Sequence, residues 1–531
     1  MDRIADAIWS SGVLGRILGA ATLFLITSCI VDIVSRPVYP KHLPRVGYGT
    51  GLLASIKTFF KTPSQLKSRV DEGYKKYNKN DKSFVIAAGL GRRPTLVLAP
   101  SQFKWFFEQP DNVISLDAAS KDSLYAKYNF LGDAHPKDPF NNTIVHRNLA
   151  KALSGLVPGM QEDIQYTIDL KLGSDKENWK TVNIWGMWLT IIPRVSNVMI
   201  LGKELDRNPQ VVGAFVQFIQ LVHHNIGILN KLFSTLHPLV GRLLAIRNRK
   251  CYDRATKYTL PVIQQRLVDM EKKATDPSFK WNEPEDAITW CIRQARAENN
   301  TKELQAKTIA KRLLLVELGS VFTTAITAQN TLVDIISSDP SDIEALREEA
   351  VRVFAEENQT WTQAGVAKLV RIDSAIRESQ RRSNFAVTML DHKVIAPGGV
   401  TNESEGWHAP YGALLAVNLN GLYHDPDIHS DPERYDPLRF SRPFETGTAD
   451  EKKRMGIVST SEEHLVFGHG KHACPGRFFV ALELKMAIAY ILINYDIKHV
   501  AERPAGTVQG NFVIPPLTAS MEIRRRKETV A

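Results

Sequence analysis

The sequence predicts a mainly α-helical protein with a minor β component, preceded by a single N-terminal transmembrane helix. Three observations carry that expectation. Apolar residues recur at helical spacing through residues 141–290 and again through 301–337. Short β-like runs gather near 84–98, 387–417 and 512–523. Residues 17–31 form an apolar run without a single charge. With 44% hydrophobic and 23% charged residues the chain has a globular composition, which excludes general disorder.

Taken in order, the first element is the apolar span 13–34, interrupted only by Arg16 and Asp32 near its ends. A helix crosses a bilayer with roughly 20 apolar residues, and charges at its ends can reach the interface. A cleaved signal peptide and an amphipathic surface helix are the alternatives. The run is long for a signal peptide, and no A-x-A-like cleavage site follows it. Arg36, Lys41 and Arg45 come next, which places everything downstream in the cytosol. Residues 1–12 are then a lumenal N-terminus and 35–50 a linker stiffened by Pro37, Pro40 and Pro44. Residues 51–531 form the body, although length alone, at roughly 150 residues per domain, suggests three or four domains.

Within the body, Phe84-Val85-Ile86 and Thr95-Leu96-Val97-Leu98 read as strands. The 141–290 region reads as overwhelmingly helical, with a stripe at Val145, Leu149, Leu153 and Leu156. A long helix is expected over 301–337, closed by Asp339-Pro340, with further helices over 341–356 and 361–382. Strands and Gly/Pro turns fill 387–417, and a Pro/Asp-rich irregular stretch fills 424–443. A last helix begins just after Cys474 and runs to about Ile493. Strand-like ends follow at 512–514 and 521–523.

Charge and cysteine content narrow the function. The chain carries 67 Lys and Arg against 57 Asp and Glu, a net charge of +10, but the cations are dispersed. The one tight run, Arg524 to Lys527, reads as a solvated tail, so no nucleic-acid partner is expected. The four cysteines (Cys29, Cys251, Cys291 and Cys474) are too few for a disulfide framework, and no CxxC suggests structural zinc.

The most informative stretch is Phe467-Gly468-His469-Gly470-Lys471-His472-Ala473-Cys474-Pro475-Gly476-Arg477. It sets a cysteine at the start of an apolar helix, where N–H groups and the helix dipole stabilise a thiolate. The glycines allow a flat group to approach the backbone. A lone cysteine in such a loop also reads as an inert buried thiol; the whole string decides. It resembles the haem-binding signature of the cytochrome P450 family, Phe-x-x-Gly-x-Arg-x-Cys-x-Gly, with Phe467, Gly470, Cys474 and Gly476 in register. His472 stands where the family usually has Arg. The resemblance implies the cytochrome P450 fold, with haem b held through its iron by the Cys474 thiolate.

Further motifs agree with that resemblance. The family's helical Glu-x-x-Arg matches Glu378 and Arg381, about 96 residues before Cys474; Glu344 and Arg347 share the spacing by chance. Arg439, in Asp436-Pro437-Leu438-Arg439-Phe440, resembles the third member of that ion network. His392 and Arg147 occupy the places of haem propionate partners. Gly319, Ser320 and Thr323 match the oxygen-activation helix, with Thr324 beside them, and Phe322 replaces the family's acid. The resemblance implies a monooxygenase that inserts one atom of O2 into a lipophilic substrate, in a pocket lined by Val321, Phe322 and residues 383–388. Fungal relatives of this type act on terpenoids, polyketides or alkaloids in secondary metabolism. Electrons would come from NADPH through an NADPH-cytochrome P450 reductase, with cytochrome b5 as an optional second donor. Lys452, Lys453, Arg454, Lys471 and Arg477 would form its docking face on the endoplasmic reticulum membrane. Oxidative coupling, desaturation or rearrangement is the alternative chemistry. A haem-binding paralogue without turnover is the alternative class.

Overall fold

The helices begin where short polar side chains precede proline or an apolar turn. In the computed structural model, which describes residues 12–48, 52–87, 89, 93–130, 132, 134–136, 138–448 and 454–527, the principal helices are α1 (Val13–Val34), α2 (Leu52–Lys76), α3 (Pro139–Leu172), α4 (Ile184–Ile200), α5 (Pro209–Leu229), α6 (His237–Thr275), α7 (Ala287–Ala297), α8 (Ala306–Ile336), α9 (Pro340–Glu356), α10 (Val370–Arg382) and α11 (Arg477–Asn494). Asp138, Asn208 and Asp339 each cap a helix whose first residue is proline, accepting from main-chain N–H groups one turn in. Proline costs nothing there, because its missing N–H would have been unpaired. Asn183 and Asp286 cap α4 and α7 in the same way.

α1 is apolar on all sides, with a mean hydropathy of 2.3 and only 6% of it buried. A helix apolar all round has no polar face for water, and its length matches a bilayer core. Asp32 and Arg36 pair at its C-terminal end, 3.7 Å apart. α5 is also long and apolar, but it is half buried against the protein interior, as a core helix is.

The strands are β1 (Arg45–Val46), β2 (Phe84–Ile86), β3 (Thr95–Val97), β4 (Ile114–Ser115), β5 (Lys180–Asn183), β6 (Met389–Val394), β7 (Val400–Asn402), β8 (Trp407–Ala409), β9 (Leu414–Val417), β10 (Tyr495–Ile497), β11 (Thr507–Gln509), β12 (Phe512–Ile514) and β13 (Ser520–Arg525). Six form one sheet in the order β1-β2-β3-β9-β6-β4, which joins the 84–98 and 387–417 regions. A second sheet runs β10-β13-β5, with Met521 opposite Val182. β6 is irregular between Met389 and His392, and Leu390 there has φ +57°. Such a bulge re-aims the side chains that follow it. The largest core surrounds α8 and includes Trp188, Trp290 and Phe479, all fully buried.

The 141–290 region is overwhelmingly helical, interrupted by one short strand, Lys180–Asn183, which pairs with a strand more than 300 residues away. One sequence expectation needs correcting. The helix expected over 361–382 is two helices, Gln363–Ala367 and α10, broken at Lys368 and Leu369. Residues 1–11, Gly49, Lys452 and Lys453 lie outside the described residues.

Candidate haem site

Burial separates the cysteines. Cys251 and Cys291 are buried in α6 and α7, where burial pushes their thiols up and keeps them neutral. Cys29 lies in α1. Cys474 alone lies outside the anchor and is only half buried. Its loop is shaped by backbone geometry. Gly468 has φ +70°, and a Cβ there would sit 2.8 Å from the His472 carbonyl oxygen, so only glycine fits. Gly470 also has a positive φ, +61°. Cys474 N–H donates to the Phe467 carbonyl at 2.6 Å, closing the loop onto itself. Arg477 donates to the Cys474 carbonyl at 2.9 Å and to that of Val458 at 3.2 Å. Gly476 caps α11, so Cys474 stands just ahead of a helix N-terminus that favours a thiolate.

α8 packs against α11. It is buried along most of its length but opens at its middle: Gly319 is exposed, and Ser320, Phe322 and Thr323 are half buried. A Cβ at Gly319 would meet only Pro136, at 3.7 Å, which leaves room beside the helix. The two threonines differ. Thr323 borders the opening, its hydroxyl donating to the Gly319 carbonyl at 3.0 Å. Thr324 is buried and donates to the Ser320 carbonyl at 2.6 Å, a local bond that satisfies its hydroxyl within the helix. Phe322 faces elsewhere: its ring packs 3.8 Å from His223 on α5 and 5.9 Å from Trp185 on α4.

His392 and His472, 80 positions apart in the chain, come together with ring centroids 5.5 Å apart. The bulged strand β6 buries His392, which also packs edge-on against Phe106 at 4.5 Å. His472 Nε2 donates to Asp111 Oδ1 at 2.8 Å, and Lys471 pairs with the same oxygen at 2.8 Å. Partial burial raises the Asp111 carboxyl, but the Lys471 and His472 bonds outweigh it and hold it below the usual range. Asp111 was not foreseen, since nothing in local spacing connects it to the cysteine loop. Arg147 does not join this group: it is exposed on α3 and donates to Gln294 on α7 at 3.3 Å.

The Glu-x-x-Arg choice is settled by burial. Glu378 and Arg381 are fully buried and joined by two bonds of 2.8 and 2.9 Å. Arg439 Nε lies 3.1 Å from Glu378 Oε1, an ion pair whose N–H is not aligned for a hydrogen bond. Arg381 also donates to the main chain at Tyr423 and Pro432, tying α10 to the irregular stretch before the cysteine loop. Glu344 and Arg347 form a partly exposed pair 2.7 Å apart.

Residues 385–388 run against the β11–β12 hairpin, held by Asn511. Its Oδ1 accepts from Thr388 N–H at 2.9 Å and its Nδ2 donates to the Thr388 carbonyl at 2.9 Å. Asn511→Ala is expected to remove these bonds and to destabilise the fold by ~1–3 kcal/mol, read from urea midpoints. The cations near the loop are fewer than the sequence suggests. Lys471 is paired with Asp111, and Arg477 turns inward onto Cys474.

The residue types suit haem: a half-buried cysteine ahead of a helix terminus, small residues on the packed neighbour α8, and two imidazoles beside each other near the same loop. A single half-buried cysteine outside the anchor matches iron bound through one thiolate within a larger cofactor.

Comparison with known proteins agrees. The cytochrome P450 family model matches residues 67–523. Cytochrome P450 monooxygenase pbrC of Penicillium brasilianum is 30% identical over 528 residues, 98% of this chain and 97% of its own. Cytochrome P450 monooxygenase astC of Aspergillus terreus is 30% identical over 501 residues, covering 92% and 93%. Cytochrome P450 monooxygenase gloP of Glarea lozoyensis is 28% identical over 481 residues, 88% of each chain. Similarity of that extent spans the cysteine loop, α8 and the Glu378 network together, and this chain belongs to the cytochrome P450 family as a haem-thiolate monooxygenase.

Proposed function

We propose that Cys474 is the thiolate ligand of haem b, in a protein that inserts one oxygen atom into a lipophilic secondary metabolite of the terpenoid, polyketide or alkaloid kind. The observation that carries this is the half-buried Cys474 just ahead of α11, in a loop where Gly468 leaves no room for a side chain. When bound, a haem with a thiolate ligand supplies the electron donation that favours O–O cleavage. The chain's residues do the rest. Phe467, Gly470 and Gly476 shape the loop that presents Cys474. His472 and His392 line the edge that would face the haem carboxylates, with Asp111 orienting the first and the Leu390 carbonyl the second. Thr323 holds a hydroxyl at the opening in α8, where a proton must be delivered. Glu378, Arg381 and Arg439 brace the backbone behind the site. Electrons come from NADPH through a membrane-bound NADPH-cytochrome P450 reductase, with cytochrome b5 as a further donor. α1 anchors the chain in the endoplasmic reticulum membrane with its body in the cytosol, by length, apolarity and the cations that follow it.

One observation favours a second chemistry. Phe322 fills the acid's place and packs against His223 and Trp185, a change that oxidative coupling or desaturation tolerates better than hydroxylation. The test is reconstitution with the reductase and a panel of lipophilic substrates. A thiolate-type CO spectrum with substrate-dependent NADPH consumption and an oxygenated product is expected. That spectrum without turnover would instead identify a non-catalytic haem protein. Thr323→Ala is expected to keep NADPH consumption while product per NADPH falls at least about tenfold. An unchanged yield would remove Thr323 from proton delivery.

A further inference from the structure

α4 and α5 contain no Asp or Glu, and besides histidines their one basic residue is Arg194. Its Nε and Nη1 are buried and have no hydrogen-bond partner among the described residues. Other arginines of the body are held by carboxylates: Arg207 by Asp163, Arg266 by Asp286, Arg312 by Asp138 and Arg503 by Asp334. A guanidinium is a permanent cation, and burying its N–H groups without an acceptor is costly. Such a group calls for a partner that the fold itself does not supply.

Arg194 lines a cavity of about 410 Å³ between α4 and α5, within the roughly 300–1,000 Å³ of small-molecule sites. Leu189 of α4 and Val212 and Val216 of α5 give it apolar walls, and no acidic side chain lines it. Gln217 is the polar group opposite. Its Oε1 accepts from Arg254 Nη2 at 2.6 Å, which orients the amide and leaves its N–H groups for the cavity. Gly213 lines the same space from inside α5, where glycine is unfavourable, and a Cβ there would meet nothing within 4 Å. Arg194 and Gln217 thus present N–H donors within hydrocarbon walls. Leu189 is one turn from Trp185, which packs on Phe322, yet no residue of α8 lines the cavity.

We propose that this cavity binds a lipophilic carboxylic acid, with its carboxylate on the Arg194 guanidinium and the Gln217 amide and its chain along Leu189, Val212 and Val216. One guanidinium balances one negative charge, whereas a phosphomonoester, with nearly two, would keep charge unpaired. The acid is a ligand apart from the oxidised substrate, and its site does not depend on the monooxygenase reading. Bound there, it holds α4 against α5.

The probe is octanoate, titrated calorimetrically into the full-length holoenzyme whose haem iron is already occupied by imidazole. Saturable binding that leaves the haem spectrum unchanged is expected. Arg194→Gln and Gly213→Trp should each weaken it at least about tenfold, the first by removing the cation and the second by filling the cavity. Octanol should bind at least about tenfold more weakly than octanoate. No saturable binding, binding that shifts the haem spectrum, or equal affinity in Arg194→Gln overturns the proposal. Tighter binding of octyl phosphate overturns the assignment to a carboxylate. Urea midpoints give a readout that a misfolded variant cannot mimic. Arg194→Met should raise the midpoint of the ligand-free protein, because it removes a buried cation without a partner. Octanoate should then raise the midpoint of the wild type but not that of this variant. A lowered midpoint in ligand-free Arg194→Met would show that the guanidinium itself ties α4 to α5, and would overturn the site.

Discussion

Glu378→Ala is expected to lower the stability of the protein by about 3–5 kcal/mol and to yield protein largely empty of haem. The size follows from what the substitution leaves behind. Arg381 is 1% exposed, and Glu378 is the carboxylate paired with its guanidinium. Removing Glu378 strands one buried cation outright and takes a partner from Arg439. Breaking a buried pair is costlier than never building it, because the orphaned charge keeps its desolvation penalty. Arg381 also holds the Tyr423 and Pro432 carbonyls, so the loss passes into the segment that leads to the cysteine loop. Urea midpoints and the haem-to-protein absorbance ratio measure both effects. Glu344→Ala is the control: it has the same spacing to an arginine, but Glu344 is 53% exposed, and its loss should stay within about 0.5 kcal/mol. Equal losses in the two variants would mean that the buried network is not what holds the segment.

That contrast marks how far sequence carries the structure. Glu344-x-x-Arg347 and Glu378-x-x-Arg381 are indistinguishable by spacing, and burial tells them apart. Local chemistry was legible: Asp339-Pro340 marks the end of α8, and the glycines of the cysteine loop set its shape. The cysteine loop, α8 and the Glu378–Arg381 pair were readable because each lies within one short window whose residues act together. What escaped was pairing over long separations. β5 exists because Ser520–Arg525 lies beside it, Asp111 matters because His472 reaches it, and Asn511 matters because residues 385–388 pass it. None of these has a neighbour in sequence that announces it. Arg147 failed for the converse reason, since a helix face that suits a carboxylate partner also suits Gln294.

Cys474→Ala is expected to abolish the thiolate-type CO spectrum and to reduce product formation to the background of the reductase alone. Two properties of the site make this loss one of chemistry rather than folding. Cys474 is half buried, and its loop is closed through the main chain, by Cys474 N–H to Phe467 and Arg477 to the Cys474 carbonyl, bonds that alanine retains. The expected stability change of the apo-protein is therefore within about 1 kcal/mol. No other cysteine can take over. Cys251 and Cys291 are both fully buried, with Cys251 Sγ directed at the Ala214 carbonyl at 3.2 Å, and burial holds both as neutral thiols. Cys251→Ser should accordingly keep the spectrum and the turnover of the parent. A Cys474→Ala protein that retains a thiolate-type band would place the ligand elsewhere. A Cys474→Ala protein that unfolds at lower urea by more than its loop bonds allow would mean that the sulfur itself packs the start of α11. The two outcomes separate cleanly, because one is read from the haem and the other from the apo-protein.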